Sequence, residues 1–329
     1  MSSSVPLELA KEFAKSSRSI AQAPSTLAYV VDRLFFAIAT LGALAIIALV
    51  AYILFEIGEQ ALPAISKYGA GFLIDTSWNV QRDQFGILPQ IWGTLYSSLL
   101  ALVIGGFVGV TIAIVLTQDF LPPRLAVTFR TLIEMLAAIP SVVFGLWGIF
   151  VVIPFIRPAA NWLHDTFGFI PFFSSSLSGP GMLPAVIVLS IMILPTVAAI
   201  SQDAIGLVPY KVKEAAYGMG TTRWEAILKV IVPTASAGIS SALVLGFGRA
   251  LGETMALAML IGNSNQISLS LFSPANTLAA LLASNFPEAA QTERQALMYA
   301  ALVLLAITLV VNVIGTLILI WTSRKVGKA

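Results

Sequence analysis

The chain has no cysteine and a single histidine, His164. The first absence excludes a disulfide framework, thiolate metal ligands and thiol catalysis; the second excludes a histidine metal cluster. Charge is scarce as well. Only 10% of the 329 residues are charged, and 18 basic against 16 acidic side chains leave a formal net charge of +2. That balance provides no basic surplus for a nucleic-acid partner. Apolar side chains fill the space instead: 58% of the chain is hydrophobic and mean hydropathy is +0.92, far above a soluble domain. This is the composition of an integral membrane protein.

A helix that crosses a bilayer needs roughly 20 apolar residues. Six stretches qualify: Leu34 to Phe55, Ile91 to Leu116, Met135 to Ile156, Met182 to Ile200, Ile239 to Ile261, and Ala296 to Trp321. The pattern predicts an all-α polytopic membrane protein with six transmembrane helices. The first stretch exceeds a signal-peptide core and no small-residue cleavage site follows it, so it is read as retained. The expected divisions are a tail at 1–33, the first helix at 34–56, an outer connection at 57–90, a transmembrane core at 91–322 and a second tail at 323–329.

Insertion keeps Lys and Arg on the cytoplasmic side. Lys11, Lys15, Arg18 and Arg33 precede the first span, and Arg124 and Arg130 follow the second. Lys211, Lys213, Arg223 and Lys229 follow the fourth, and Arg324, Lys325 and Lys328 follow the sixth. The opposite side holds Lys67, Arg82, Arg157 and Arg294. Both termini are therefore expected in the cytoplasm, together with a polar segment at 206–233.

That segment has its own local logic. Pro209 can start a short helix, Gly218 and Gly220 permit a sharp turn, and Thr222-Arg223-Trp224-Glu225 has the spacing of a capping box. Two short helices joined at glycine form a knob, with Tyr217, Met219 and Trp224 as apolar anchors and Lys213 and Glu214 setting register by charge.

The fifth span raises a different question, because it contains Arg249 and Glu253. A charge near the bilayer centre costs about 2.5–3.5 kcal/mol on insertion scales. A spacing of four puts the two on one helix face, where they are expected to pair. Ala242, Gly246, Ala250 and Thr254 form one small-residue ridge beside them, and Gly248, Gly252 and Ala256 another. Arginine suits an oxyanion because its planar fork offers parallel hydrogen bonds and keeps its charge.

Glu214-Ala215-Ala216, three residues, Gly220, nine residues, then Val230, Ile231, Val232 and Pro233 resemble the coupling motif of ABC importer permeases, with Val230 and Val232 standing where the pattern has Ile and Leu. Phe85 to Pro89 with Gly93-Thr94-Leu95, Glu134 to Gly145 including Pro140-Ser141-Val142-Val143-Phe144-Gly145, and Gly248 to Ala256 resemble the phosphate-specific permeases of these importers, the PstC family. The likeness runs from about residue 30 to the C-terminus. It implies the type I importer permease fold in a bacterial inner membrane, with inorganic phosphate as substrate. It also implies a homologous second permease (PstA-like), two ATPase subunits (PstB-like) and a periplasmic phosphate-binding protein (PstS-like). This chain would then bind no cofactor and catalyse nothing itself, since ATP and Mg belong to the ATPase subunits. On the same resemblance Arg249 and Glu253 line the substrate pathway, while Lys213, Glu214, Ala215, Ala216, Gly220 and Trp224 couple to the ATPases. A permease for sulfate or molybdate is the nearer alternative. A secondary transporter is the further one, and the inverted repeats and proton-relay acids it would need are not visible.

Remaining expectations concern single features. Arg130 and Glu134, four apart, are read as a structural pair where the third span begins, and Asp203 as the end of the fourth. His164 is placed in an outer loop, Ser174 to Gly181 in a flexible turn, and Gly105 and Gly109 at a close helix contact. Leu278 to Phe286 is apolar but too short to span.

Overall fold

The computed structural model describes residues 26–326. The tail residues 1–25 and 327–329, including Lys11, Lys15, Arg18 and Lys328, lie outside the described residues. Two compact units divide between Glu56 and Ile57. The first is helical from Thr26, part of helix α1 (Thr26–Tyr68), and exposes Leu34, Phe35, Phe36 and Phe55 as a lipid-facing helix does.

The second unit continues from Ile57 through the end of α1 to α2 (Gly71–Ile74) and a short antiparallel hairpin, β1 (Trp78–Asn79) with β2 (Gln84–Phe85). It then forms α3 (Leu88–Thr117), α4 (Pro123–Ala138), α5 (Ser141–Trp147), a π-turn over Gly148–Val152, and α6 (Ile153–Phe167). Next come α7 (Met182–Gly206), α8 (Tyr210–Gly218), α9 (Arg223–Ala226), a second π-turn over Ile227–Ile231, and α10 (Val232–Thr234). The chain finishes with α11 (Ser236–Leu251), α12 (Met255–Leu260), α13 (Leu278–Asn285) and α14 (Gln291–Val326).

Among the described residues five helices are long and apolar enough to cross a membrane. α11 meets the same length and hydropathy criterion only when taken together with the segment Arg223–Thr234, which is bent from it by 70°. Within the second unit α7 is the most buried span, packed by α3 and α11. Glycine makes the closest of these contacts feasible, as expected for Gly105 and Gly109. A Cβ on Gly105 would lie 2.6 Å from the Ser190 carbonyl, and one on Gly109 3.0 Å from Val197. The first N–H groups of a helix have no partner within it. At α7 the return loop after α12 supplies them: Met182 N–H donates to the Ser273 carbonyl at 3.0 Å and Leu183 N–H to the Leu271 carbonyl at 2.7 Å.

Several local expectations are corrected. The third span starts at Ser141 rather than Met135, because Pro140 separates it from α4, an amphipathic helix with no buried residue. Arg130 and Glu134 both lie on α4 without pairing; Arg130 Nε instead donates to Gln202 Oε1 on α7 at 3.1 Å. His164 belongs to α6, where its Nδ1 sits 2.8 Å from the Phe173 carbonyl. Ser174 to Gly181 is pinned rather than loose, since Ser175 bonds Ser270 and Ser273 at 2.6 and 2.9 Å and Leu177 is buried. The short apolar stretch after Thr277 is α13, packed on α3, α12 and α14.

Candidate functional site

The predicted fifth span is broken where its charges lie. α11 ends at Leu251, Gly252 through Thr254 are not helical, and α12 restarts at Met255. Hence Arg249 and Glu253 do not share a helix face, and no ion pair joins them among the described residues. Arg249 Nη1 donates to Thr196 Oγ1 on α7 at 3.3 Å and remains exposed within the chain. The half-buried Glu253 turns to the restart, its Oε1 accepting from Ala256 N–H at 3.5 Å. Gly248, one residue before Arg249, faces Asn312 of α14: a Cβ there would lie 3.2 Å from Asn312 Oδ1. The break therefore gathers an unpaired guanidinium, a carboxylate, hydroxyls of Thr196 and Thr254, and a carboxamide in otherwise apolar helices. Such groups can replace hydration around a polar solute, whereas a lipid-facing wall offers none.

The second region is the knob. α8 begins after Pro209, and Gly220 adopts φ +80°, a left-handed conformation that glycine takes without a Cβ clash. Its N–H donates to the Tyr217 carbonyl at 2.9 Å. The capping box forms as the spacing predicts, with Glu225 N–H donating to Thr222 Oγ1 at 3.4 Å and Thr222 N–H to Glu225 Oε2 at 3.1 Å. Ala216 is 1% exposed, so it seats α8 on the bundle, whereas Met219 at 77% and Trp224 at 58% project outward. Glu214, Ala215 and Gly220 are exposed too, and Lys213 is half-buried. The six coupling candidates thus form one hairpin, separate from Arg249 by roughly 20 Å along α11.

Cavities among the described residues include one of about 150 Å³ lined by Arg130, Glu134, Gln202 and Asp203, which stands in the last turns of α7. Another, about 560 Å³, lies beside the β1–β2 hairpin, lined by Lys67, Tyr68, Asp75 and Asp83. There Asp83 takes hydrogen bonds from Lys67 and, at 2.6 Å, from the Tyr68 hydroxyl, and Lys67 foremost holds its carboxyl below the ordinary aspartate value.

The phosphate transport system permease protein PstC of Haemophilus influenzae is 39% identical over 306 residues, spanning 91% of this chain and 96% of that protein. The PstC of Pasteurella multocida is 38% identical, spanning 91% of this chain and 95% of its own length. The family model for binding-protein-dependent transport system inner membrane components matches residues 105–328. The chain belongs to the PstC family of these inner membrane components. PstC proteins are components of transport systems rather than catalytic subunits, and the membrane helices agree with that setting. The fold is shared with solved ABC importers. A bacterial alginate ABC transporter, in complex with an alginate-bound periplasmic protein, aligns at TM-score 0.60 and 16% identity over 88% of this chain and 96% of that one. The MetNI methionine transporter aligns at TM-score 0.54 and 16% identity over 72% and 95%.

Some partners of the arginines were not legible in the sequence. Thr196, Gln202 and Phe120 each hold an arginine from a distant segment through a side chain whose only local signal is polarity or aromaticity in a helix or just past its end, and Gln118 does so through its main-chain carbonyl, which any residue there would offer.

Proposed function

We propose that this chain is the permease subunit through which an ATP-driven importer passes inorganic phosphate across the inner membrane. The observation that carries the substrate is the extent of likeness to PstC proteins, 39% identity over 91% of the chain. Arg249, without an ion-pair partner at the broken span, supports the reading because phosphate oxygens can take the guanidinium donors, of which Thr196 occupies one at 3.3 Å. Glu253 completes the pathway as an acceptor. Both termini and the hairpin of Lys213, Glu214, Ala215, Ala216, Gly220 and Trp224 face the cytoplasm, in keeping with the distribution of basic residues. There the hairpin docks in ATPase subunits, which hold ATP and Mg, while a homologous second permease and a periplasmic phosphate-binding protein complete the importer. ATP-driven closure displaces the hairpin and exposes Arg249 to each side in turn.

The test is uptake of labelled phosphate into vesicles carrying the assembled importer, with and without ATP. Glu214→Lys and Gly220→Pro are expected to leave the chain in the membrane, weaken ATPase docking and abolish uptake. Normal uptake with both substitutions would remove the coupling role. Transport of sulfate or molybdate in preference to phosphate would reassign the substrate.

A further inference from the structure

Arg223 opens α9 and reaches back to the inner end of the second span. Its Nη2 donates to the main-chain carbonyl of Gln118, which follows the last residue of α3. The guanidinium carbon lies 4.1 Å from the centroid of the Phe120 ring, and Phe120 packs on Trp224 with ring centroids 5.2 Å apart. A helix C-terminus leaves carbonyls unpaired and attracts a cation, so Arg223 satisfies both needs of α3 at once. Gln118 is 7% exposed, and scarce water strengthens a charged donor there.

Two routes lead from the hairpin to Arg249. The chain itself passes through the π-turn Ile227–Ile231 and the 70° bend into α11. A π-turn and a sharp bend are places where a helix yields to displacement. The other route runs through Arg223 to α3, which meets α7 at Gly105 and Gly109, where α3 itself places no side chain between them. Thr196, the acceptor for Arg249, lies beside Val197 of that contact. A close-packed helix pair moves as a body and transmits a push with little loss.

We propose that Arg223 is a positioning residue, a strut that delivers movement of the hairpin to the α3 and α7 pair and so to Thr196 and Arg249. This rests on the coupling role proposed above. Arg223 contacts neither phosphate nor ATP.

The complete importer with its binding protein, reconstituted in proteoliposomes, gives two readings: ATPase subunit retained with the permeases, and phosphate moved per ATP hydrolysed. Arg223→Gln should retain the ATPase subunits yet lower phosphate moved per ATP by about fivefold or more, because the charged hydrogen bond and the cation–ring contact go together. Phe120→Leu should lower the ratio in the same direction. Arg223→Lys, which still offers a cation to the carbonyl and the ring, should recover much of it. A merely structural arginine would cost assembled complex and leave the ratio alone. The proposal is overturned if Arg223→Gln and Phe120→Leu keep the unsubstituted ratio, or if transport falls only in proportion to lost ATPase subunit. Normal uptake with Glu214→Lys and Gly220→Pro overturns the coupling role beneath it; loss of uptake there with an unchanged Arg223→Gln ratio overturns the strut alone.

Discussion

Arg249 donates to the hydroxyl of Thr196 across 3.3 Å, joining the end of α11 to the middle of α7, and no carboxylate lies within ion-pair distance of it among the described residues. A hydrogen bond from a charged group is worth about 1.5–3 kcal/mol at good geometry, and this one is long and exposed, which makes Arg249 at most a weak brace of the bundle. Its charge is therefore available to a passing anion. Arg249→Gln should assemble normally and lower phosphate uptake by about tenfold or more, and Arg249→Lys should restore only part, since a point charge lacks the planar fork. Uptake normalised to the amount of complex in the membrane decides this. Normal transport by Arg249→Gln would end the pathway role; failure to assemble would favour bracing.

Gly93 on α3 carries a second prediction. A Cβ at that position would collide with the main-chain carbonyl of Asn276, and backbone cannot swing aside as a side-chain tip can. Gly93→Ala is expected to destabilise the purified protein by about 1–3 kcal/mol, the range for overpacking. Gly42→Ala, also inside a helix but with nothing within 4 Å, is the matched control and should stabilise by up to about 1 kcal/mol, the gain in helix propensity alone. Thermal unfolding in detergent compares them, and equal midpoints would show that the return loop is looser than this contact requires.

How much could be read in advance follows the range of the interactions. The capping box at Thr222 and Glu225 and the turn at Gly220 depend on residues within a few positions, and both form as the spacing predicts. The apolar runs marked the spans because length and hydropathy are local sums. Glu253 shows where this ends. Its spacing from Arg249 suggests a pair only if the helix continues, and the Gly252 break is not forced by glycine alone, since Gly246 and Gly248 sit inside α11 intact. Likewise Arg130 prefers Gln202, 72 residues away, over Glu134 one turn along α4. Tertiary packing made those choices. The start of the third span was misplaced for a simpler reason: Met135 to Ile139 is apolar enough to read as a span, but Pro140 ends the helix.

Asp75 ties the β1–β2 hairpin to pH. Its Oδ1 accepts from the N–H groups of Thr76 at 2.7 Å and Ser77 at 3.1 Å, and the Ser77 backbone hydrogen bond foremost holds its carboxyl below the ordinary 3.8. A depressed carboxyl stabilises the folded hairpin above the ordinary value, and that contribution disappears as pH falls below 3.8 through the folded value. Backbone hydrogen exchange over residues 75–86, corrected for intrinsic rates, should therefore rise in that acid window. Asp75→Asn keeps an acceptor oxygen but does not titrate, so its exchange should lack this component. Identical acid profiles for the two proteins would assign the change to other carboxyls.

Glu253 poses the question of why the proposed anion pathway holds an acid. Released from α11 by the break, it is half-buried, and the one hydrogen bond of its carboxylate among the described residues is the 3.5 Å contact with Ala256 N–H. It therefore does not neutralise Arg249 by direct contact, and on the proposed pathway its remaining acceptor capacity is open to a solute at the break. Phosphate near neutral pH still carries a P–OH donor that a carboxylate accepts; sulfate has none and meets only repulsion. Glu253→Gln removes the repulsion and keeps an oxygen for Ala256. Discrimination between the two anions inside the permease should fall by about tenfold, while folding is unaffected. The comparison needs an importer made independent of its binding protein, which otherwise selects before the permease does. Phosphate and sulfate transport are then measured with Glu253 and with Gln. An unchanged ratio would leave Glu253 as the cap of the first turn of α12 and return the whole of selection to the binding protein.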